Sequence, residues 1–206
     1  EATGVAIANG PVTRVPGATG RPVPGYTIRV IDEQGQDVAP GEVGELVLRG
    51  DAVVSGYVRD PDETSALFID GWYRTRDLVR VDQNNFVFFV GRRSEMLKVG
   101  GLRVYPLEIE KVLHEHPEVR DALVVGAEDR LRGEVARAIV LTVPGSALDG
   151  KAVRHWCRER LADYKVPRFV EFWLELPRLP NGKIDKRAAL AVAADPDRDE
   201  RPERID

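Results

Sequence analysis

Residues 91–110 read GRRSEMLKVGGLRVYPLEIE, and the character of the chain changes across this stretch. Gly100-Gly101 is a pair that suits a tight turn, so the apolar runs on either side of it predict a β-hairpin. Pro106 suits the first turn of a helix, and the mixed apolar and charged positions that follow predict a helix as far as His114. The stretch therefore predicts a strand–turn–strand–helix unit at the start of a second domain.

The residues before this stretch are predicted to be mostly sheet. Alternating apolar residues predict a strand over 26–31, and glycines bracket a second predicted strand over 44–50. Pro61 is followed by acidic residues, a pattern typical of the start of a helix. Two further strands are predicted over 78–82 and 86–90, so this part of the chain should fold as a β-rich unit.

The residues after the stretch alternate between strand and helix patterns. Strands are predicted over 119–125, 135–143 and 169–174. Helices are predicted over 151–161 and 186–194. This alternation predicts a small α+β domain with its own core.

The sequence therefore predicts an α+β fold in two parts with a terminal extension. A β-rich part spans 1–93, a small α+β domain spans 94–194, and the polar residues 195–206 form a disordered tail. Residues 1–25 contain five glycines and four prolines, show no strong periodicity and do not begin with methionine. We therefore expect the chain to be a fragment of a longer protein, whether natural, proteolytic or made in the laboratory.

Composition and charge exclude several classes of protein. The 206 residues carry 30 basic and 34 acidic side chains, a formal net charge of −4, which argues against a protein built chiefly to bind nucleic acid. No run of residues approaches the roughly 20 apolar positions of a membrane-spanning helix. The single cysteine, Cys157, excludes an intrachain disulfide and a zinc site built from cysteines. We expect a soluble, cytoplasmic protein.

Asp77 lies between a predicted turn at Asp70-Gly71 and the strand predicted over 78–82. A carboxylate at the edge of a strand can accept two hydrogen bonds from the diol of a ribose. An aspartate that caps a turn is the alternative, and this stretch alone favours that alternative.

Two loops combine cations with glycine. In the hairpin stretch, glycine lets a ligand approach the backbone, and the cations can contact phosphate oxygens. The alternative is an exposed basic hairpin that binds no ligand. Near the end of the chain, Asn181-Gly182 predicts a tight turn that holds Lys183 at an exposed tip. An ammonium group there could neutralise charge that develops during attack on a phosphate, whereas a solvated lysine is the commoner role. Residues 41–46, GEVGEL, are interpreted as purely structural.

Taken together in this order and spacing, these motifs resemble the C-terminal part of the adenylate-forming superfamily of acyl-CoA synthetases, adenylation domains and luciferases. The resemblance covers nearly the whole chain. It implies that a carboxylic acid, fatty or aryl, reacts with Mg-ATP to give an acyl-adenylate, and that a thiol then displaces AMP. It also implies that residues 1–93 are the end of a large AMP-binding domain, and that 94–194 form a small mobile lid that rotates between the two half-reactions.

The resemblance assigns the adenylation roles residue by residue. Asp77 matches the aspartate that holds both ribose hydroxyls of ATP or AMP, and Arg92 matches an arginine that also contacts the ribose. Lys183 matches the lysine that bridges the substrate carboxylate and the phosphate. Glu1 stands where the family has the glutamate that binds Mg²⁺.

The resemblance also assigns the second half-reaction and the hinge. Gly100 and Gly101 match the hairpin that lines the pantetheine tunnel after rotation, and Lys98 and Arg103 flank the same face. Lys98 resembles a lysine that supports thioester formation in some members. Ser94 stands at the hinge, where the family commonly has Asp or Lys, and serine should tolerate the backbone rotation.

Arg76 and Ser94 both depart from the family pattern. Arg76 precedes Asp77 where the family usually has glycine, so it should either rest against a phosphate or hinder nucleotide binding. The family's phosphate loop and acid-selecting pocket would precede Glu1, so we expect this chain to be inactive in adenylation without the missing N-terminal part of the protein.

Three functions remain open from the sequence. The first is an acyl-CoA ligase that uses free coenzyme A, which we favour because residues 105–110 resemble those of medium- and long-chain acyl-CoA ligases. The second is an adenylation enzyme that loads the phosphopantetheine of a carrier protein. The third is a non-catalytic nucleotide-binding or interaction fragment. The last two predict a partner protein, whereas the first predicts release of AMP that depends on coenzyme A.

Overall fold

The chain divides into two compact units, Glu1–Ser94 and Glu95–Asp206. The structure is a computed structural model, and it describes residues 5–10, 14–129 and 132–193. The tail predicted over 195–206 lies outside the described residues.

The first unit is built mainly from antiparallel strands. Its elements are β1 (Ile7–Ala8), β2 (Arg21–Pro22), β3 (Tyr26–Ile31), β4 (Val43–Gly50), α1 (Pro61–Ala66), β5 (Phe68–Ile69), β6 (Trp72–Val81) and β7 (Val87–Arg92). In the larger sheet the strand order is β3-β4-β6-β5, and β7 also pairs with β6. The long strand β6 therefore pairs with three other strands, and strands on both of its edges bond to its central residues.

The hairpin between β5 and β6 depends on its two turn residues. Asp70 and Gly71 have φ angles of 49° and 78°. Both angles lie in the left-handed region, which aspartate and glycine tolerate best, and a turn of this kind matches the twist of the paired strands. The predicted turn is therefore present.

The second unit is a sheet covered by helices. Its elements are β8 (Leu97–Val99), β9 (Leu102–Val104), α2 (Pro106–His114), β10 (Val119–Asp129), β11 (Gly133–Thr142), α3 (Gly150–Arg158), β12 (Phe169–Phe172) and α4 (Lys186–Ala193). Its strand order is β10-β11-β8-β9, with β12 parallel to β11. No helix formed by the described residues has the length and apolarity needed to cross a bilayer.

Both faces of the second sheet are buried at β10 and β11, each against different helices. Val124 of β10 belongs to the core cluster that contains Ile109 of α2 and Cys157 of α3. The neighbouring Leu123 belongs to a second cluster, which contains Ala189 of α4. Because successive residues of a strand point to opposite faces, α2 and α3 cover one face and α4 covers the other. This arrangement explains why β10 reads as an almost continuous apolar run.

The α+β class and the hairpin-and-helix unit predicted from residues 91–110 are confirmed. The strand predicted over 78–82 is wrong at its start, because β6 begins at Trp72. The polar run Arg74-Thr75-Arg76-Asp77 hides this first half of the strand. Asp77 consequently lies inside a strand, and the alternative role of turn cap does not apply to it.

Candidate functional site

Asp77 and Arg92 come from separate motifs, and the sheet brings them side by side. They are directly opposite each other in the register of β6 and β7. The Nε of Arg92 lies 2.8 Å from the Oδ1 of Asp77, and the Nη1 of Arg92 donates to the carbonyl of Thr75 at 3.3 Å. The carboxylate side chain is 24% exposed and the guanidinium side chain is 54% exposed. The pair therefore presents a partly buried acceptor beside an exposed donor, an arrangement that suits a vicinal diol.

Arg76, immediately before Asp77, has a left-handed backbone. Its φ is 60°, a region that disfavours residues with a Cβ. The glycine that the family resemblance led us to expect at this position would adopt this φ without strain. The Nη2 of Arg76 lies 2.7 Å from the Oε1 of Glu63 on α1, so its charge is paired within the first unit.

Glu45 is a buried charged residue, although its segment, residues 41–46, was interpreted as purely structural. The side chain is 3% exposed. Arg74 contacts both of its carboxylate oxygens, and the Nη1 of Arg93 donates to its Oε2 at 2.7 Å. Burial alone would raise the pKa of Glu45, but the two guanidinium groups outweigh burial and hold that pKa below its ordinary value. A signal was available in the sequence, because Glu45 lies just before the apolar run of a predicted strand. A glutamate that is buried there must find a positively charged or hydrogen-bonding partner.

Ser94 lies between two residues whose side chains are anchored. Arg93, the residue before it, is bound to Glu45 of the first unit. Glu95, the residue after it, accepts a hydrogen bond from the Nζ of Lys186 at 2.6 Å in the second unit. The boundary between the two compact units falls at Ser94. Ser94 itself is the middle residue of a short 3₁₀ helix, Arg93–Glu95, and its role as a hinge stays a prediction.

The turn between β8 and β9 consists of two glycines in the left-handed region. Gly100 and Gly101 have φ angles of 57° and 83°. A Cβ built on either glycine would meet no described atom within 4 Å, so the space around the turn is open. Glycine is favoured at both positions because of the left-handed backbone, not because of crowding. Lys98 and Arg103 face each other in the strand register and are both exposed. The predicted hairpin is present, and its role toward a ligand stays a prediction.

Lys183 lies at the exposed tip of a tight turn, as predicted. Gly182 has a φ of 82° and donates its N–H to the carbonyl of Leu179 at 2.8 Å. The N–H of Lys183 donates to the Oδ1 of Asn181 at 3.1 Å, and its carbonyl accepts from the N–H of Leu179 at 2.8 Å. The backbone around Lys183 is thus hydrogen-bonded while the side chain extends into solvent.

Four arginines surround a cavity in the second unit. The cavity has a volume of about 240 Å³ and includes Val99, which precedes the glycine turn. Its charged lining consists of Asp163 and the arginines at positions 132, 154, 158 and 168. Both terminal nitrogens of Arg154 are buried and have no hydrogen-bond partner among the described residues. An anion is the ligand that such a cluster of guanidinium groups favours. No single motif indicates this cavity, because its arginines come from three separate segments of the chain.

The metal-binding candidate Glu1 lies outside the described residues. Within 5–10, 14–129 and 132–193, no group of three or more His, Cys, Asp or Glu side chains is arranged to hold a metal ion. Of the remaining site candidates, Asp77 and Arg92 belong to the first unit, and the hairpin residues and Lys183 belong to the second.

Comparison with known proteins places these features in a family. A model of the AMP-binding enzyme matches residues 1–58, and a model of the AMP-binding enzyme C-terminal domain matches residues 108–183. Indoleacetate–CoA ligase of Aromatoleum aromaticum is 39% identical over 173 residues, which are 84% of this chain and 34% of that protein. The fatty acid–[acyl-carrier-protein] ligase ScoC of Streptomyces coeruleorubidus is 38% identical over 192 residues, 91% of this chain and 37% of that protein.

A solved structure supports the same relationship. The crystal structure of ATP-bound MatB from Rhodopseudomonas palustris superimposes with a TM-score of 0.85 at 34% identity, over 90% of this chain and 37% of that one. The chain thus spans about a third of the length of the curated relatives it matches. Because two family models match successive parts of the sequence and the fold agrees with a solved member, the chain belongs to the family of adenylate-forming, AMP-binding enzymes.

Proposed function

We propose that this chain is the nucleotide-contacting edge and the C-terminal lid of an acid–thiol ligase. The ligase activates a carboxylic acid with ATP as an acyl-adenylate and transfers the acyl group to coenzyme A. The observation that carries the proposal is the Asp77–Arg92 pair, 2.8 Å apart on adjacent strands. Two residues with the same expected ligand, the ribose, come from separate motifs and meet there on consecutive strands.

The first half-reaction assigns a separate task to each unit. Asp77 accepts hydrogen bonds from the two ribose hydroxyls, and Arg92 donates to the same sugar. Lys183 places its ammonium group where the carboxylate oxygen attacks the α-phosphate, and there it stabilises the negative charge of the transition state. Exposure of Lys183 at a turn tip supports this role, because the side chain must reach a ligand held by another domain.

The second half-reaction requires the lid to rotate about Ser94. Rotation brings the Gly100–Gly101 turn to the nucleotide in place of Lys183, and the pantetheine arm passes along the open space around these glycines. Lys98 and Arg103 flank the passage. The open surroundings of both glycines support this assignment, since any side chain there would narrow the path.

Free coenzyme A is the thiol that the cavity of the second unit favours. Coenzyme A carries three phosphate groups on its nucleotide end, whereas a carrier protein presents only the phosphodiester of its phosphopantetheine. Four arginines and the carboxylate of Asp163 surround a concave volume of about 240 Å³. Arg168 is paired with Asp129, but the buried terminal nitrogens of Arg154 have no partner among the described residues and suit the nucleotide phosphates. The relatives support the same choice, because they include indoleacetate–CoA, long-chain-fatty-acid–CoA and feruloyl-CoA enzymes.

A carrier-protein ligase is the second candidate. Its support is the match to the carrier-protein ligase ScoC, which covers 91% of this chain. The two candidates differ in the thiol and share the acid activation step. The names of the relatives include both fatty and aryl acids, so either type of carboxylic acid is compatible with the proposal.

The test uses the enzyme made of this chain and the preceding part of its AMP-binding domain, which we call the complete ligase. Lys183→Ala should lower acyl-adenylate formation by at least about 100-fold, while thioester formation from supplied acyl-adenylate stays unchanged. Lys151→Ala, which removes an exposed lysine from α3, is the matched control. Equal loss in both half-reactions would refute the assigned roles. Release of pyrophosphate from ATP and acid by the 206-residue chain alone would refute its dependence on the preceding part.

The choice of thiol needs a separate measurement. The complete ligase should release AMP with coenzyme A at micromolar to millimolar concentrations, and replacement of Arg154 by glutamine should raise the KM for coenzyme A more than the KM for pantetheine. Turnover with a phosphopantetheinylated carrier protein but not with coenzyme A would favour the second candidate.

A further inference from the structure

Arg178 connects the turn that carries Lys183 to the sheet of the second unit. Its Nη1 donates to the carbonyl of Gly182 at 3.0 Å, and its Nη2 donates to the Oδ2 of Asp121 on β10 at 2.6 Å. Gly182 is the residue immediately before Lys183. One guanidinium group thus bridges the turn and a strand whose neighbouring residues form the core.

The other hydrogen bonds described for this turn are local. They join Leu179 with Gly182 and Lys183, Lys183 with Asn181, and Asp185 with Pro177. Such bonds fix the shape of the turn. Ile184, next to Lys183, packs against the core cluster that contains Leu123 and so anchors one side of the turn. The bond to Asp121, 57 residues away on β10, adds a polar anchor that opposes displacement of the turn at Gly182.

Asp121 is itself held in place. Its Oδ1 accepts a hydrogen bond from the N–H of Ala122 at 2.9 Å and lies 3.2 Å from the Nε2 of His114. Its side chain is 21% exposed, compared with 49% for Arg178. The carboxylate therefore offers Arg178 a fixed and partly buried acceptor, and a planar guanidinium can bond to it and to the Gly182 carbonyl at once.

We infer that Arg178, held by Asp121, is a positioning residue that fixes the location of the Lys183 ammonium group for acyl-adenylate formation. The inference rests on the proposed function, because it takes Lys183 to act in that half-reaction. Arg178 touches neither substrate nor nucleotide in this role. It acts through the backbone of the turn, and a small displacement of a catalytic group is enough to slow a reaction.

The first experiment needs no activity and uses the 206-residue chain itself. Arg178→Gln should speed amide hydrogen exchange at Gly182 and Lys183 by about 10-fold, because one charge-assisted bond to the turn is lost. Exchange at Val124 and Ile139, in the core strands, should not change. Arg120→Gln is the matched control, since Arg120 also joins a loop carbonyl, that of Leu174 at 2.9 Å, without touching the turn. Unchanged exchange at the turn would overturn the inference.

The second experiment measures the two half-reactions in the complete ligase. Arg178→Gln should lower kcat for acyl-adenylate formation by about 10-fold with little change in KM, and should leave thioester formation from supplied acyl-adenylate intact. Arg178→Lys, which keeps a charge but cannot bridge two acceptors, should recover part of the loss. Asp121→Asn should resemble Arg178→Gln, and the double variant should be no worse than either single variant.

The outcomes separate this inference from the proposed function. If Lys183→Ala abolishes acyl-adenylate formation while Arg178→Gln behaves like Arg120→Gln, the positioning role is overturned and the proposed function stands. If Lys183→Ala leaves that half-reaction unchanged, the proposed function fails and the inference falls with it.

Discussion

Replacing Glu45 by glutamine should destabilise the first unit far more than the loss of an exposed ion pair would. The carboxylate is 3% exposed and accepts hydrogen bonds from Arg74 and Arg93. Glutamine has the same shape, but its amide NH₂ group faces a guanidinium group where an oxygen accepted before. At least one charged hydrogen bond is lost and two cations face a neutral group, so we expect a loss of about 3 kcal/mol in the free energy of unfolding.

The assay is urea unfolding at several pH values, followed by tryptophan fluorescence in a chain whose Trp156 and Trp173 are replaced by phenylalanine, so that Trp72 alone reports on the first unit. The folded-state pKa of Glu45 lies below its ordinary value of 4.5, so its contribution is complete above that pH and is lost as the pH falls through the lower folded-state pKa. The difference between the wild-type chain and Glu45→Gln should therefore be constant from neutral pH to about pH 5 and should narrow in more acidic solution.

Asp37→Asn is the matched control for this prediction. Asp37 pairs with Arg29 at 2.7 Å, but its side chain is 64% exposed, so the loss should be below about 1 kcal/mol. If Glu45→Gln is no more destabilising than Asp37→Asn, or if the difference does not change with acid, the reasoning from burial and charge is refuted.

Three further predictions test other features. Arg76→Ala should be less stable than Arg76→Gly by about 1 kcal/mol in denaturant unfolding, because only alanine keeps a Cβ at a φ of 60°; equal stability would contradict this. In the complete ligase, Gly101→Leu should block thioester formation while sparing acyl-adenylate formation, whereas Gly145→Leu, at a φ of 79° in another turn, controls for backbone strain and should spare both. Burial raises the pKa of the Cys157 thiol to about 11, so the folded chain should resist iodoacetamide at pH 8 and react only in denaturant, as followed by mass spectrometry.

Much of the fold could be predicted because local patterns and tertiary packing agree. The hairpin around Gly100-Gly101 and the helix from Pro106 follow from turn and helix-start residues, and the structure contains both. Strand β6 was predicted too short because its exposed and ion-paired residues, Arg74 and Arg76 among them, do not alternate with apolar ones. Their partners, Glu45 and Glu63, lie 29 and 13 residues away, so no local pattern reveals the strand.

The candidate site was predictable only where its residues form compact motifs. Lys183 and the glycine turn have local signals that are visible in a few neighbouring residues. Arg178 and Asp121 do not, because each is an ordinary surface charge in the sequence and the two meet only when the chain after β12 returns to β10. The arginine cavity escapes sequence reasoning for the same reason, since its charges come from separate segments.

The anchors beside Ser94 bear on why serine can serve at the proposed hinge. A rotating lid needs its backbone change confined to few residues, or the elements on either side would be disturbed. Arg93 is bound to the buried Glu45, and Glu95 is bound to Lys186 of α4, so each neighbour of Ser94 is tied to its own unit. A backbone change at Ser94 is compatible with both bonds, because it need not move either side chain away from its own unit. Serine carries no charge that would compete with these two ion pairs, and this supports its place at the proposed hinge.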